Sequence, residues 1–444
     1  MKIIIAGDGE TGSHIARTLS IESQDVVLMG NNNEHLAELD AVSNFITFEG
    51  SAISRANLLR CGADRADLFV AVTPDETVNI LACEIAKDCG TRRCVARVDN
   101  PELDSETDKS LFSRLGIDFT IYPEKLAAVE IKHFIEHNWV NDWIELHGGA
   151  LMVTGVRMNP GGSMCGRLLR EVPSNPRRFH VAAIKRGDTI VIPRGDDRLL
   201  EGDTIYFSVL PTDCNAIAPL CGRNPAVVKR IMISGAGRVT ENVLELIARR
   251  YNVTVIDPDR DRCNVIASRF PDVVAVNARA NDISTLKEEG IEKCDMFLAL
   301  TGSSETNIVS CMVAREHGVR KTVARIEELQ YMPEAESLAI DKIVNKKLLN
   351  AGKILSVLLD SDVSTAQCMS FGAVELTEIV AREGARITSA PVAELGLPRD
   401  FTVAGIIRNH TGMLVEGRTI IAPGDHVLVF YAPGALNKVT RYFR

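Results

Sequence analysis

Ile3-Ile4-Ile5-Ala6-Gly7-Asp8-Gly9-Glu10-Thr11-Gly12 opens the chain, and Ile231-Met232-Ile233-Ser234-Gly235-Ala236-Gly237-Arg238-Val239-Thr240 repeats its plan 228 residues later. In each stretch an apolar run of strand length feeds a glycine turn that opens a helical pattern. The first glycine permits the tight turn, the second lets backbone approach a pyrophosphate, and the third lets the helix pack closely on the sheet. The register holds far downstream. Asp67–Thr73 matches Asp295–Thr301, and Val95-Ala96-Arg97 matches Val323-Ala324-Arg325. Between residues 67 and 97, 13 of 31 positions are identical at this offset, where ordinary residue usage gives about two. Solenoid units run to roughly 50 residues at most, so a period this long signals duplicated domains.

Around the two turns, short apolar strands alternate with amphipathic helices. Ile3–Ala6, Val26–Met29, Phe45–Phe48, Leu68–Val72, Val95–Val98 and Phe119–Ile121 read as strands. Helical spacing begins near Gly12, Glu34 and Thr77. That alternation predicts an α/β fold with a doubly wound parallel sheet and helices on both faces. Each half then changes character. A helix leads to short alternating strands with Gly-Asp turns, and Gly202-Asp203 in the first half answers Gly424-Asp425 in the second. The predicted order is a Rossmann-like domain over 1–122, a crossover helix over 123–140 and a small β-rich α+β module over 141–215. A linker over 216–228 precedes the second set: a Rossmann-like domain over 229–345, a crossover helix over 346–360 and a β-rich module over 361–444.

Composition narrows the function. The net charge of −9 and the lack of a basic tract argue against nucleic acid, whose phosphates need clustered Lys and Arg. The first residues lack signal-peptide character, and no run approaches the roughly 18 apolar residues of a membrane span. Eleven cysteines without a CxxC pair read as reduced thiols of a cytoplasmic protein.

In an open parallel sheet the ligand cleft lies at the carboxyl ends of the strands, where strand order reverses. The first cleft should use Gly7, Asp8, Gly9, Glu10, Thr11 and Gly12, with position 30, Asn31, Thr73, Pro74 and Arg97. The second should use Gly235, Ala236, Gly237, Arg238 and Val239, with Asp257, Thr301, Gly302 and Arg325. A ribose-binding acid is expected at the end of the second strand. Asp257 supplies it in the second copy, whereas the first has Gly30. The third glycine is present as Gly12 but replaced by Thr240 in the second copy, whose branched side chain should hold its helix further off. The two clefts are therefore expected to differ in affinity or ligand, or one copy is purely structural. Without an acid at position 30, adenosine phosphates or a 2′-phosphate become admissible there.

Catalysis is not expected. The polar residues shared by both halves are Asp67/Asp295, Thr73/Thr301, Asn79/Asn307, Arg97/Arg325 and Asp203/Asp425, a set suited to phosphate binding, capping and turns. None of the nine histidines recurs at the repeat offsets. His133 and His137 have helical i,i+4 spacing but no third ligand, so no metal set is assigned. A nicotinamide-dependent oxidoreductase is the alternative reading.

With both glycine turns, Asp75-Glu76-Thr77-Val78-Asn79, the Val-Ala-Arg pairs and the Gly-Asp turns in view, the chain resembles a known family along essentially its whole length. That family is the cytoplasmic NAD-binding component of Trk-type potassium uptake systems, built from two regulator-of-potassium-conductance (RCK) units. The resemblance implies a peripheral regulatory subunit at the inner face of the plasma membrane, forming a homo-oligomeric ring beneath a membrane-embedded potassium-transporting subunit. NAD or NADH, and ATP or ADP, would then bias the ring's shape. A regulatory subunit of another cation transporter is a further alternative.

Overall fold

The computed structural model describes residues 1–443 apart from 22–24, 43, 101–102, 104–105, 173–177, 188, 226, 280–281, 333–334, 336–337, 339, 360–366, 372–373 and 433. The expected junction at 360–361 lies outside these. The chain divides into two compact units, Met1–Lys132 with Lys229–Leu358, and His133–Val228 with Leu359–Arg444. Domains that alternate along the sequence are thus grouped by kind.

The first unit holds two parallel sheets. One contains β1 (Lys2–Ala6), β2 (Asp25–Gly30), β3 (Ile46–Glu49), β4 (Leu68–Ala71), β5 (Arg93–Arg97) and β6 (Phe119–Ile121), in the order β3-β2-β1-β4-β5-β6. Its strands are continuous apolar runs because helices cover both faces, and Ile3, Ile4, Ile5 and Leu68–Ala71 are fully buried. The order reverses between β1 and β4, which places the cleft over the Gly7 turn. The second sheet repeats this arrangement. It contains β12 (Arg230–Ser234), β13 (Asn252–Asp257), β14 (Val274–Asn277), β15 (Met296–Ala299), β16 (Lys321–Arg325) and β17 (Lys342–Val344), in the order β14-β13-β12-β15-β16-β17. Asp67 and Asp295 fasten the starts of the first strands, accepting from the backbone N–H of Lys2 and of Lys229 and Arg230.

Sequence periodicity locates the helices Glu10–Ile21, Asn33–Val42, Glu76–Cys89 and Lys346–Leu359 closely. It misses Arg55–Cys61, a helix of two turns. Ser54 caps that helix, accepting from the Asn57 N–H, and left-handed Gly62 ends it.

The second unit holds two antiparallel sheets. β7 (Asp142–Leu146), β8 (Leu151–Arg157), β9 (Phe179–Arg186), β10 (Thr189–Val191) and β11 (Thr204–Val209) form one, in the order β10-β9-β11-β8-β7. The other contains β18 (Gln367–Phe371), β19 (Val374–Val380), β20 (Phe401–Arg408), β21 (Thr411–Leu414) and β22 (His426–Tyr431), in the order β18-β19-β22-β20-β21. The two modules share a core in which Leu151, Val153 and Tyr206 pack with Ala404, Leu428 and Phe430.

Each duplicated Gly-Asp turn places a buried carboxylate in an ion pair with a partly exposed arginine. Arg186 grips Asp203 through two hydrogen bonds of 2.8 and 2.7 Å, and Arg408 grips Asp425 through two of 2.7 and 2.6 Å. Burial pushes the Asp425 carboxyl up. Hydrogen bonds from Arg408 and the Ala422 N–H more than offset this, and the net pKa lies below the ordinary value. A carboxyl lowered on folding stabilises at pH above its unfolded pKa of about 4, and that contribution is lost as pH falls through the folded value. Unfolding free energy measured in denaturant from pH 6 to pH 3 should therefore fall. Asp425→Asn should cost about 2 kcal/mol at pH 6 and flatten part of that slope.

Ten described cysteines are free thiols. Burial pushes Cys221 and Cys311 up to about 12, which keeps these thiols protonated and inert at neutral pH.

Candidate nucleotide-binding clefts

Both glycine turns adopt the geometry their sequence calls for. Gly7 and Gly235 have φ of +127° and +101°, a region that side chains other than hydrogen rarely enter. A Cβ on Gly7 would lie 2.9 Å from the Val72 carbonyl carbon, and one on Gly235 2.9 Å from the Thr301 nitrogen. Gly9 and Gly237, by contrast, have open space where a Cβ would be, so backbone can approach a ligand there. Gly237 precedes the helix Arg238–Ile247 without any side-chain cap. Its first-turn N–H groups and the positive end of the dipole therefore suit an anion.

The third position follows two different solutions. A Cβ on Gly12 would fall 1.8 Å from the Gly7 carbonyl oxygen. Thr240, fully buried, meets the same problem with its hydroxyl, which donates to the Gly235 carbonyl at 2.5 Å.

Each cleft holds a carboxylate at this point, in the first on the glycine turn and in the second at a strand end. In the second, Asp257 at the end of β13 accepts from the Ala236 N–H at 2.7 Å and the Asp259 N–H at 2.8 Å. In the first, Gly30 ends β2, and the space its Cβ would fill is taken by Asp8, whose Cγ would be only 2.2 Å away. Asp8 accepts from the Asn32 N–H at 2.8 Å. The first cleft thus carries its carboxylate on the glycine turn and the glycine on the strand, and the second reverses this, with Ala236 on the turn. The absence of an acid at position 30 does not leave the first cleft without one. Adjacency of Asp8 to Gly7 was visible in sequence; its reach to Gly30 depends on the β1–β2 register, Ala6 opposite Met29.

Shared polar residues lock the far wall. Asn79, buried, accepts from the Thr73 N–H at 2.9 Å and the Thr73 hydroxyl at 2.7 Å, and donates to the carbonyls of Thr73 and Arg97 at 3.0 Å each. Asn307 repeats every bond with Thr301 and Arg325. One amide thereby ties the loop after one strand to the end of the neighbouring strand. Both arginines are engaged by a carboxylate two residues on, Arg97 by Asp99 through two bonds of 2.9 Å and Arg325 by Glu327 at 2.5 Å.

A cavity of about 650 Å³ occupies the second cleft, large enough for a nucleotide. Gly235, Gly237, Asp257, Thr301, Gly302 and Arg325 line it as expected, and so do Arg262 and Arg279, which the sequence reading missed. Ser234 also lines it; its hydroxyl is fully buried with no hydrogen-bond partner among the described residues. An orphan buried hydroxyl is costly unless something pairs with it. Val239 points into the core instead. In the first copy Thr11 is half-buried and Asn31 exposed.

The first copy has a cavity of about 610 Å³ lined by Pro74, Asp75, Glu76, Thr77, Asp99 and Asn100, and by Arg238 from the second copy. Arg238 donates to the Asp99 carbonyl at 3.2 Å. Its counterpart, Glu10, forms an ion pair with Lys347 of the second copy. The same position of each glycine turn therefore reaches into the opposite copy. Asn242 to Tyr122, Lys346 to Glu124 and Lys342 to Glu130 complete this contact.

His137, one of the i,i+4 pair, stacks on Trp143 with ring centroids 3.8 Å apart.

Two doubly wound domains with dinucleotide-type turns, each followed by a small antiparallel module, define a tandem nucleotide-binding protein. The comparisons agree. The TrkA-N domain family matches residues 3–123 and 231–346, and the TrkA-C domain family matches 153–222 and 376–444. The chain belongs to this TrkA-N/TrkA-C family. It is 28% identical to the Trk system potassium uptake protein TrkA of Halomonas elongata over 440 residues, covering 97% of this chain and 95% of that one. It is 29% identical to the TrkA homolog of Archaeoglobus fulgidus over 450 residues, covering both in full. Among solved structures, the GsuK channel matches with a TM-score of 0.64 at 15% identity, over 98% of this chain and 77% of that one. A GsuK channel bound to NAD matches with a TM-score of 0.62 at 15% identity, over all of this chain and 78% of that one. These two likenesses concern the fold.

Expected effects of exchanging the acid follow directly. Asp8→Asn should weaken nucleotide at the first cleft by about tenfold to a hundredfold, the loss of one charge-assisted hydrogen bond, and leave the second unchanged by calorimetry. Gly30→Asp alone should fail through collision with Asp8. The pair Asp8→Ala with Gly30→Asp, which copies the second cleft, should recover binding.

Proposed function

We propose that this protein is the nucleotide-sensing regulatory subunit of a Trk-type potassium uptake system, acting on a membrane-embedded partner without catalysing a reaction. No helix among the described residues is long and apolar enough to cross a membrane, so a partner subunit would supply the transport path. The observation that carries the proposal is the reciprocal reach of Arg238 and Glu10 between the two clefts. A nucleotide seated on either turn meets a residue that the opposite copy already holds. Its occupancy changes the relation of the two copies to the extent that it binds one arrangement better than another. Differential binding of about 1–3 kcal/mol gives a fivefold or greater change in the linked equilibrium.

The residues proposed to bind are the backbone of Gly7–Thr11 with Asp8, Thr73-Pro74 and Arg97 in the first cleft. In the second they are Gly235–Gly237, Asp257, Thr301-Gly302 and Arg325, with Arg262 and Arg279 facing phosphate. NAD or NADH fits both, since each has an acid for the ribose diol. The NAD-bound GsuK relative supports that ligand class, and the ADP-bound GsuK structure supports adenosine phosphates. Non-catalytic action accords with the structural use of the shared polar residues as clasps, strand fasteners and turn locks. A homo-oligomeric ring at the cytoplasmic face, held there through the partner, is the assembly proposed.

The test is co-purification from the native membrane followed by potassium flux in vesicles with and without NADH and ATP. A potassium-transporting partner and a nucleotide-dependent flux are expected. Flux indifferent to both nucleotides would refute the regulatory role, and turnover of NADH with a carbonyl compound would replace it with an oxidoreductase.

A further inference from the structure

The two β-rich modules meet at a cluster that neither repeat nor spacing announced. In the second module Val380 lies opposite His426 and Glu378 opposite Leu428, so Glu378 and His426 are diagonal neighbours on one face of the sheet. The first module brings His147, in the turn between β7 and β8, to the same point. His147 Nε2 lies 2.7 Å and His426 Nδ1 2.6 Å from one oxygen, Glu378 Oε1. The three ligand atoms all fall within 4.8 Å of one another. The imidazoles stand edge to face, centroids 4.8 Å apart at 74°. Glu378 is buried, with its side chain 5% exposed, while His147 and His426 remain 26% and 36% exposed. An ion could thus enter from solvent and meet a desolvated carboxylate.

We propose that His147, Glu378 and His426 form a binding site for a borderline-soft divalent cation of the zinc class, joining the two modules. Two imidazoles and one carboxylate are a three-ligand zinc set that leaves a fourth position for water. Hard cations such as magnesium and calcium prefer six or more oxygens. Tetrahedral coordination with bonds of about 2.0–2.1 Å separates ligand atoms by about 3.3 Å. The present 2.6–2.7 Å contacts then need to open by about 0.6 Å, within reach of rotation of the two partly exposed rings. On binding, Nε2 of His147 and Nδ1 of His426 would each offer a lone pair to the ion, with the ring proton on the other nitrogen. The carboxylate balances one of the cation's two charges. Because the ligands come from residues 231 positions apart in sequence, the ion would fasten the first module's turn to the second module's sheet. It would favour whichever arrangement of the pair brings them together.

His147 occupies the left-handed region at φ +47°, where Asn is the best-tolerated side chain other than glycine. His147→Asn therefore removes a ligand with little disturbance to the turn. The test uses the full-length chain, stripped with a chelator and desalted. Zn²⁺ is titrated in competition with a chromogenic indicator, and Co²⁺ is added separately as a spectroscopic probe. One tight Zn²⁺ per chain is expected, with visible Co²⁺ bands of a tetrahedral nitrogen–oxygen site. His147→Asn and His426→Gln should each weaken Zn²⁺ at least about tenfold and abolish those bands, whereas the surface control His35→Asn should change neither. Melting in chelator establishes which variants fold, and His147→Asn decides alone if His426→Gln does not. Absence of a stoichiometric site, or equal affinity in the wild type and His147→Asn, would overturn the proposal and leave a hydrogen-bonded triad.

Discussion

Gly12→Val is expected to abolish nucleotide binding at the first cleft, with affinity lost by more than about a hundredfold, while the second cleft keeps its own. The new Cβ would sit 1.8 Å from the Gly7 carbonyl oxygen, far inside van der Waals contact, so the helix Glu10–Ile21 must withdraw from the turn. Withdrawal removes the helix N-terminus from the phosphate position and opens the strained Gly7 turn at once. Overpacking of this kind costs roughly 1–3 kcal/mol or more, so the melting temperature should fall as well. Gly12→Thr is the informative partner, being nearly isosteric with valine. Thr240 already sits at the corresponding position with its hydroxyl bonded to the Gly235 carbonyl. Gly12→Thr should therefore cost visibly less in both stability and affinity, by about one hydrogen bond, or roughly 1 kcal/mol. Equal damage from Val and Thr would show that bulk alone matters and that the hydroxyl solution does not transfer.

Asn307→Ala should be the most damaging single truncation in the second cleft. Asn307 is fully buried and makes four hydrogen bonds, to the Thr301 N–H, hydroxyl and carbonyl and to the Arg325 carbonyl. Removing the amide strands a backbone donor and two carbonyls in the interior, each of which costs about 1–3 kcal/mol unless water enters. A net loss of about 3 kcal/mol corresponds to a melting decrease of roughly 6–12 °C for a domain of this size. Because the same amide sets the spacing of Thr301 and Arg325, nucleotide affinity should drop with stability. Asn307→Asp keeps the shape yet loses both donors and buries a charge, and should be no better. A change within about 0.5 kcal/mol in either variant would mean that the clasp is not needed to hold the loops.

Much of this architecture was legible in the residues. Parallel strands buried on both faces read as unbroken apolar runs such as Ile3–Ala6 and Leu68–Val72, and glycine at 7 and 235 is demanded by local backbone geometry. What escaped the sequence depends on separations that a chain alone does not reveal. Asp8 serves the first cleft because β1 and β2 pair in one register and Gly30 leaves room. Arg238 and Glu10 look like turn residues, yet their side chains run across to the other copy because the two doubly wound domains belong to one unit. Recurrence of Arg97 and Arg325 suggested phosphate; the structure adds that each is also held by a carboxylate two residues on. The histidines gave no signal because the repeat does not copy them. His147 and His426 converge through the packing of one module on the other.

Calorimetric titration of the full-length chain with NADH and with ATP tests the central claim most directly, repeated on Gly7→Val and Gly235→Val. Two binding events per chain are expected, one lost with each substitution, and the surviving event should shift in affinity when Arg238 is changed to Ala. No heat with either nucleotide, or an unchanged stoichiometry in both glycine variants, would contradict it.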